Sequence, residues 1–381
     1  MIIEHFTQLS IISQIIALTL LFTLLVQLFY YLWFYSRIIF TKLSKDINAN
    51  NLPPVSVVIS AKNEQYNLPE YLPSILEQDY PDFQVVVVDD CSEDETWDIL
   101  EQLKKKYTNL YTTRIHFDPI FKHGKKMALS LGIKAAQNDI LVFTDADCMP
   151  AGKDWLRRVV SNYNDNTEVV IGYSPVLKDK GFINRMIRYD NVFTGIQYLG
   201  SALAKKPYMG VGRNLSYKKS LFFSQKGFSP YIQLMSGDDD LFINKVATKT
   251  NCAVEISPDA HVLTKAKNSW KDWIIQKRRH LTTGRYYRFG DKWRLGVEIG
   301  SRFLFYVTFI MALILIPYTW IVIAVFGLRF LVQGLIINLS AKKLKQPHLL
   351  FTFWLFDIVM PLLNAWLSFK NMRNPKGIKW K

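Results

Sequence analysis

Cysteine is scarce in this chain, repeats are missing, and acidic residues are in the minority. The three cysteines, Cys91, Cys148 and Cys252, lie far apart with no Cys-x-x-Cys spacing. That argues against a zinc site or a disulfide scaffold and fits a reducing compartment, each thiol being a small, half-buried residue. No internal repeat or low-complexity tract is evident, which removes repeat architectures. Lys plus Arg number 47 against 32 Asp plus Glu, a net charge of +15. Such an excess suits nucleic acid, anionic lipid or phosphorylated substrates. The acids, however, fall in a few tight clusters in the middle of the chain, which argues against a nucleic-acid partner.

At 381 residues the chain is long enough for about two or three structural units, and three zones are visible. In residues 1–46, Ile11 to Phe34 is an almost unbroken apolar run, interrupted only by Ser13, Gln14, Thr19, Thr23 and Gln27. Roughly 20 apolar residues span a bilayer as a helix. The start carries Glu4 and His5 and the run is long, so it reads as a retained anchor and not a cleaved signal. Arg37, Lys42 and Lys45 follow it and place its C-terminal side in the cytoplasm.

Residues 50–290 read as an α/β domain entered at Pro53-Pro54. Val55–Ser60, Gln84–Val88 and Ile140–Thr144 have the continuous hydrophobicity of buried parallel strands. Helix-like stretches at 67–78, 94–107 and 124–136 lie between and beside them. This alternation predicts right-handed crossovers and a mostly parallel sheet.

Residues 300–381 are apolar again. Phe303–Leu339 has room for two helices with Pro317-Tyr318-Thr319 as the turn, and Leu349–Phe369 is a third candidate. Arg329, Lys342, Lys343 and Lys345 argue for a cytoplasmic loop. The basic tail (Lys370, Arg373, Lys376, Lys379, Lys381) also wants the cytoplasm, and Asp357 and Pro361 make the last segment a poor simple span. The third segment therefore lies in the interface or re-enters, or else 303–339 holds a single span.

Ligands of open α/β sheets gather at the carboxyl ends of the strands. The first strand is followed by Lys62-Asn63-Glu64, the second by Asp89-Asp90, the third by Asp145-Ala146-Asp147. Carboxylates brought together repel, and a metal or cationic ligand must neutralise them. Oxygen donors with retained water suit Mg²⁺ or Mn²⁺. Taken singly, each motif has a plainer explanation: Asp90-Cys91-Ser92 could cap a helix starting near Asp94, and Asp-x-Asp occurs in turns.

Together, Val55-Ser-Val-Val-Ile-Ser-Ala-Lys-Asn-Glu64, Val87-Val-Asp-Asp90 and Phe143-Thr-Asp-Ala-Asp147 resemble the inverting family 2 glycosyltransferases of GT-A fold, over about 50–290. Gly124-Lys125 with Ala128-Leu129 resembles that family's Gly-Lys-x-x-Ala-Leu stretch, and Gly237-Asp238-Asp239-Asp240-Leu241 its Glu-Asp-x-x-Leu region. Gln276-Lys-Arg-Arg279-His280 resembles the Gln-x-x-Arg-Trp motif of the membrane-bound, cellulose-synthase-like members.

The resemblance implies that Asn63, Glu64, Asp90, Lys125 and Asp145 face a nucleotide-sugar donor, with Asp90 at the base, uracil favoured over guanine. It implies a divalent metal on Asp147 and Asp145, and a general base at Asp238, with Asp239 as runner-up. Gln276, Arg279 and His280 would then face diphosphate and acceptor, a lipid-linked or saccharide species entering beside membrane lipid. Gly237 stands where the family has Glu, and His280 where it has Trp, which puts processive synthesis in doubt. Tyr208 to Asn214 resembles a Gly-x-Asn acceptor loop and reads equally as a tight turn.

The expectation is thus a glycosyltransferase of the bacterial inner membrane, catalytic domain cytoplasmic, serving cell-envelope polysaccharide synthesis. A sugar-phosphate nucleotidyltransferase would want a Gly-rich basic loop after the first strand, which Lys62-Asn63-Glu64 does not supply. A non-catalytic membrane module binding nucleotide sugar or anionic lipid would leave the acidic strand ends without a purpose.

Overall fold

The computed structural model describes residues 9–43, 52–116, 124–347 and 353–373. Glu4, His5, Lys45, the start of the Leu349–Phe369 segment and the basic tail beyond Arg373 lie outside them.

A seven-stranded sheet is the centre of the molecule. Its strands are β1 (Val55–Ala61), β2 (Phe83–Asp90), β3 (Leu110–Ile115), β4 (Ile140–Phe143), β6 (Val169–Gly172), β7 (Leu215–Lys218) and β8 (Cys252–Glu255). β5 (Cys148–Pro150) and β9 (Val262–Thr264) form a separate antiparallel pair. The order is β3-β2-β1-β4-β7-β6-β8. β1, β2, β3 and β4 run parallel, β7 is antiparallel to both β4 and β6, and β8 returns parallel to β6. The expected β1, β2 and β4 are present; β3 is an addition.

Side chains of a strand alternate between faces, and both faces here are covered. Val55, Val57, Ile59 and Val85, Val87 enter one core; Val58, Val86 and Val88 enter the other. The Lys125–Ala135 helix packs on the second face at very short range. A Cβ on Gly132 would come within 2.7 Å of Val58 Cγ1 and 3.1 Å of Val88 Cγ2. Glycine at 132 is thus what lets this helix lie on β1 and β2, and its N-terminus carries Lys125 to the strand ends.

Among the described residues, three helices are long and apolar enough to cross a membrane: Ile11–Phe40, Phe289–Leu315 and Thr319–Lys343. The turn falls at Pro317, as expected, and residues 303–339 belong to two helices. The first begins earlier, at Phe289, because Asp291 bonds to Arg288 and Arg294, each at 2.9 Å, and so carries the helix beyond its apolar run. The Phe353–Arg373 helix is not one of the three. Its Asp357 is buried but neutralised: Arg302 Nη1 lies 3.2 Å away and Arg329 Nη2 3.0 Å, and Tyr306 Oη donates to it at 2.6 Å. Arg329 also donates to Gln27 Oε1 at 3.2 Å, so the N-terminal helix joins the same network.

Candidate functional site

The parallel register sets the ends of β1, β2 and β4 side by side, and the residues beyond them line a cavity of about 580 Å³. Lys62, Glu64, Asp90, Asp145 and Asp147 all reach it. The pair on β2 divides its work. Asp89 accepts from Ser92 N at 3.0 Å and meets Arg114 Nε of β3 at 3.1 Å, so it braces the loop; Asp90 faces the cavity. No cap by Asp90 is involved: the next helix starts at Thr96, whose N–H bonds Asp94 Oδ1 at 3.0 Å. Asn63, expected at the donor, instead ties two loops together. Its N–H donates to Ser92 Oγ and its Oδ1 accepts from Glu93 N, both at 2.9 Å. Its φ of +55° is a conformation asparagine tolerates better than most residues.

Beyond β4, one carboxylate oxygen each of Asp145 and Asp147 and the Cys148 thiol lie within 4.8 Å of one another. Two half-exposed carboxylates open to a cavity are a donor set that fits a hard divalent cation. Lys267 Nζ stands 3.9 Å from Asp147 Oδ2.

Lys125 links this acidic group to a second one. Its Nζ donates to Asp145 Oδ1 at 2.7 Å and lies 3.2 Å from Asp238 Oδ2. Burial opposes its charge, but Asp145, Asp238 and Asp239 outweigh it and hold the ammonium well above the usual lysine range. Burial likewise opposes ionisation of Asp145, yet Lys125, then Arg213 and Arg279, keep its carboxyl below the usual carboxylate range.

The three consecutive aspartates have three different surroundings. Asp239 caps the Asp240–Val246 helix, accepting from Asp240 N at 2.7 Å and from Gly212 N at 2.8 Å. Burial and then Asp238 push its carboxyl up. Asp240 is enclosed: Thr283 Oγ1 and Tyr287 Oη (2.8 Å) donate to its Oδ2, and burial followed by Asp239 pushes it up to about 7. Asp238 alone of the three pairs with Lys125. The glycine before it has a physical cause. Gly237 has φ +100°, and a Cβ there would meet Leu241 Cδ1 at 2.5 Å, so a glutamate does not fit this turn.

Asp238 and Asp239 line a smaller cavity of about 80 Å³, which shares Lys125, Asp145, Arg213, Gln276 and Arg279 with the large one. Gln276, Arg279 and His280 belong to the Trp270–His280 helix, started by Ser269 accepting from Asp272 N at 3.1 Å. His280 lines only the smaller cavity. Burial, then Arg279, Arg213 and Lys277, pull its pKa down to about 3, so the ring is neutral. Neighbouring cations are engaged elsewhere: Lys277 donates to Asp190 at 2.6 Å and Arg278 to Asn371 at 2.7 Å.

Arg213 and Lys267 were not singled out from sequence. Arg213 sits inside the glycine-rich stretch, where the glycines are the stronger local signal, and Lys267 has no motif around it. Asn214 in that stretch is structural: it accepts from Trp155 Nε1 at 3.1 Å and donates to the Tyr173 and Ala260 carbonyls, both at 2.8 Å.

Residues 56–225 match the family described as glycosyl transferase family 2. The chain is 28% identical over 215 residues to glycosyltransferase AglE of Haloferax volcanii, covering 55% of this chain and 66% of that protein. It is 34% identical over 127 residues to the beta-monoglucosyldiacylglycerol synthase of a Synechocystis species, 33% of this chain and 26% of that one. It thus spans between about a quarter and two thirds of these curated relatives. Among solved structures it is similar to a mannosyltransferase from Pyrobaculum calidifontis in complex with GDP-Man and Mn²⁺. The TM-score is 0.59 at 18% identity, over 91% of this chain and 99% of that one, a likeness of fold.

Proposed function

Because this chain belongs to the family 2 glycosyltransferases of GT-A fold, we propose that it transfers a sugar from a nucleotide-diphosphate sugar to a lipid-linked or saccharide acceptor, with inversion. The observation that carries this reading is the link made by Lys125. It bonds Asp145, at the cavity where Asp90 and Asp147 also converge, and Asp238, in the adjoining cavity. Donor and acceptor would occupy these two connected spaces.

In this reading Asp90 meets the nucleobase and Glu64 and Lys62 the neighbouring part of the donor. Asp145 and Asp147 would hold a divalent ion, Mg²⁺ or Mn²⁺, whose Lewis acidity neutralises the departing diphosphate. Lys125, Arg213 and Arg279 place fixed positive charge on the same side. Asp238 takes the proton of the acceptor hydroxyl as that oxygen attacks the anomeric carbon. Its register is supported by its neighbours, since Asp239 is committed to a helix cap and Asp240 to Thr283 and Tyr287. His280 offers a neutral, hydrogen-bonding ring beside the attacking hydroxyl.

We place residues 1–46 as an anchor, 50–290 as a catalytic domain facing the cytoplasm of a bacterial inner membrane, and 300–381 as a second membrane-associated region. Arg37 in the last turn of the Ile11–Phe40 helix and Lys42 just beyond it support that orientation. The test is a panel of UDP- and GDP-sugars given to the purified protein in detergent, with Mn²⁺ or with excess EDTA. Metal-dependent release of nucleoside diphosphate and a product of inverted configuration are expected. Pyrophosphate release from a nucleoside triphosphate and a sugar phosphate would indicate a nucleotidyltransferase, and turnover unchanged in EDTA would remove the metal from the mechanism.

A further inference from the structure

Lys126 is a lysine at the wrong address for a solvated side chain. It is only 5% exposed, one residue into a helix whose first lysine already serves the acidic site. Its Nζ donates to three backbone carbonyls: Tyr231 at 3.1 Å, Leu234 at 2.5 Å and Ser236 at 2.6 Å. A protonated lysine has three N–H groups to give, and here each has an acceptor. All three carbonyls belong to the segment that ends at Asp238.

Beyond the short helical turn at Ser229–Tyr231 that segment has little regular structure, though Tyr231 and Leu234 pack against the core. Ile232 and Met235 are exposed, at 47% and 42%, and Tyr231 and Leu234 are only partly buried. Leu234 N–H already donates to the Tyr231 carbonyl at 3.0 Å, and the buried ammonium adds to that bond and takes up the Leu234 and Ser236 carbonyls, which would be costly to bury unpaired. Burial pulls the Lys126 pKa down, while Asp238, Asp240 and Asp239 oppose that shift. Successive residues on a helix point about 100° apart, which lets Lys125 take carboxylates and Lys126 take carbonyls from one helix start.

We infer that Lys126 is a positioning residue: its ammonium folds the 231–236 segment around itself and thereby sets Asp238 against the acceptor hydroxyl. This rests on the assignment of Asp238 as the base.

The experiment follows nucleoside diphosphate release from the UDP- or GDP-sugar that the wild type turns over, together with calorimetric binding of UDP and GDP with Mn²⁺. Lys126→Ala is expected to lower kcat about a hundredfold, the scale of a misplaced catalytic group, with donor KM and nucleotide binding nearly unchanged. Propylammonium fits the space vacated and supplies three N–H groups, so it should restore turnover saturably. Tetramethylammonium carries the charge without an N–H and should not. Asp238→Asn should be inactive and beyond rescue by either amine. Wild-type kcat in Lys126→Ala, a loss confined to donor KM, equal rescue by both cations, or a variant that binds no nucleotide overturns the role of Lys126. Full activity of Asp238→Asn overturns the base assignment separately.

Discussion

Lys125 Nζ lies 2.7 Å from Asp145 Oδ1, joining a helix start to the end of β4 by one half-buried ion pair. Removing the cation leaves Asp145, Asp238 and Asp239 with less compensation, so Lys125→Met should cost turnover about a hundredfold, the scale of one lost electrostatic stabiliser. It should also shift acid stability. A carboxyl held below its unfolded value stabilises the fold above that value and loses the effect as pH falls through the folded one. Without Lys125 the folded carboxyl is no longer held low, so the variant is less stable near neutral pH and its acid-side loss shrinks, which thermal melts across the acid range would detect; superimposable acid profiles would contradict the pairing.

His280 is neutral because its pKa is pulled down to about 3, from 6.5 in the open chain. The unfolded chain therefore binds the proton more readily, and His280 costs stability progressively as pH falls from about 6.5 towards 3. His280→Gln should flatten melting temperature over that window. It should leave the acid limb of the pH–rate profile in place, since a ring neutral throughout cannot produce that limb. A limb that moves with His280→Gln would show that the ring titrates during turnover.

Asp357 is the shared partner of Arg302 and Arg329 inside the helical bundle. Asp357→Ala would leave two buried guanidiniums undercompensated, at a cost of about 3–5 kcal/mol. A large drop in melting temperature in detergent is expected, with a smaller one for Asp357→Asn, which still accepts from Tyr306. Melting like the wild type for Asp357→Ala would mean that water reaches the network.

A reporter fused after residue 46 should read as cytoplasmic, because Arg37 in the last turn of the Ile11–Phe40 helix and Lys42 just beyond it mark that end. An extracytoplasmic signal would invert the orientation and separate the site from cytoplasmic nucleotide sugars.

The strands that carry the site were legible because Val55–Ala61, Phe83–Asp90 and Ile140–Phe143 are mostly buried apolar runs with acids at or shortly beyond their carboxyl ends. β3 was not, since Leu110-Tyr-Thr-Thr-Arg-Ile115 is half polar and sits at the sheet edge, where pairing and not composition defines it. The two glycine-dependent features differ in the same way. Gly237 was visible only as a departure from a motif; its cause, a positive φ pressed against Leu241, needs three dimensions. The roles of Lys126, Arg213 and Asp357 depend on partners distant in sequence, and no local pattern marks such pairings.

Asp238 as the base of a sugar transfer between these two cavities is what the turnover of Asp238→Asn beside Asp239→Asn decides. Asn keeps the size of the side chain but cannot accept a proton. Asp238→Asn should lower transfer by about two to four orders of magnitude, the usual worth of a positioned base, with donor binding retained. Asp239→Asn, which loses part of a cap, should cost much less. A fully active Asp238→Asn, or the reverse ordering of the two variants, would contradict the assignment of Asp238.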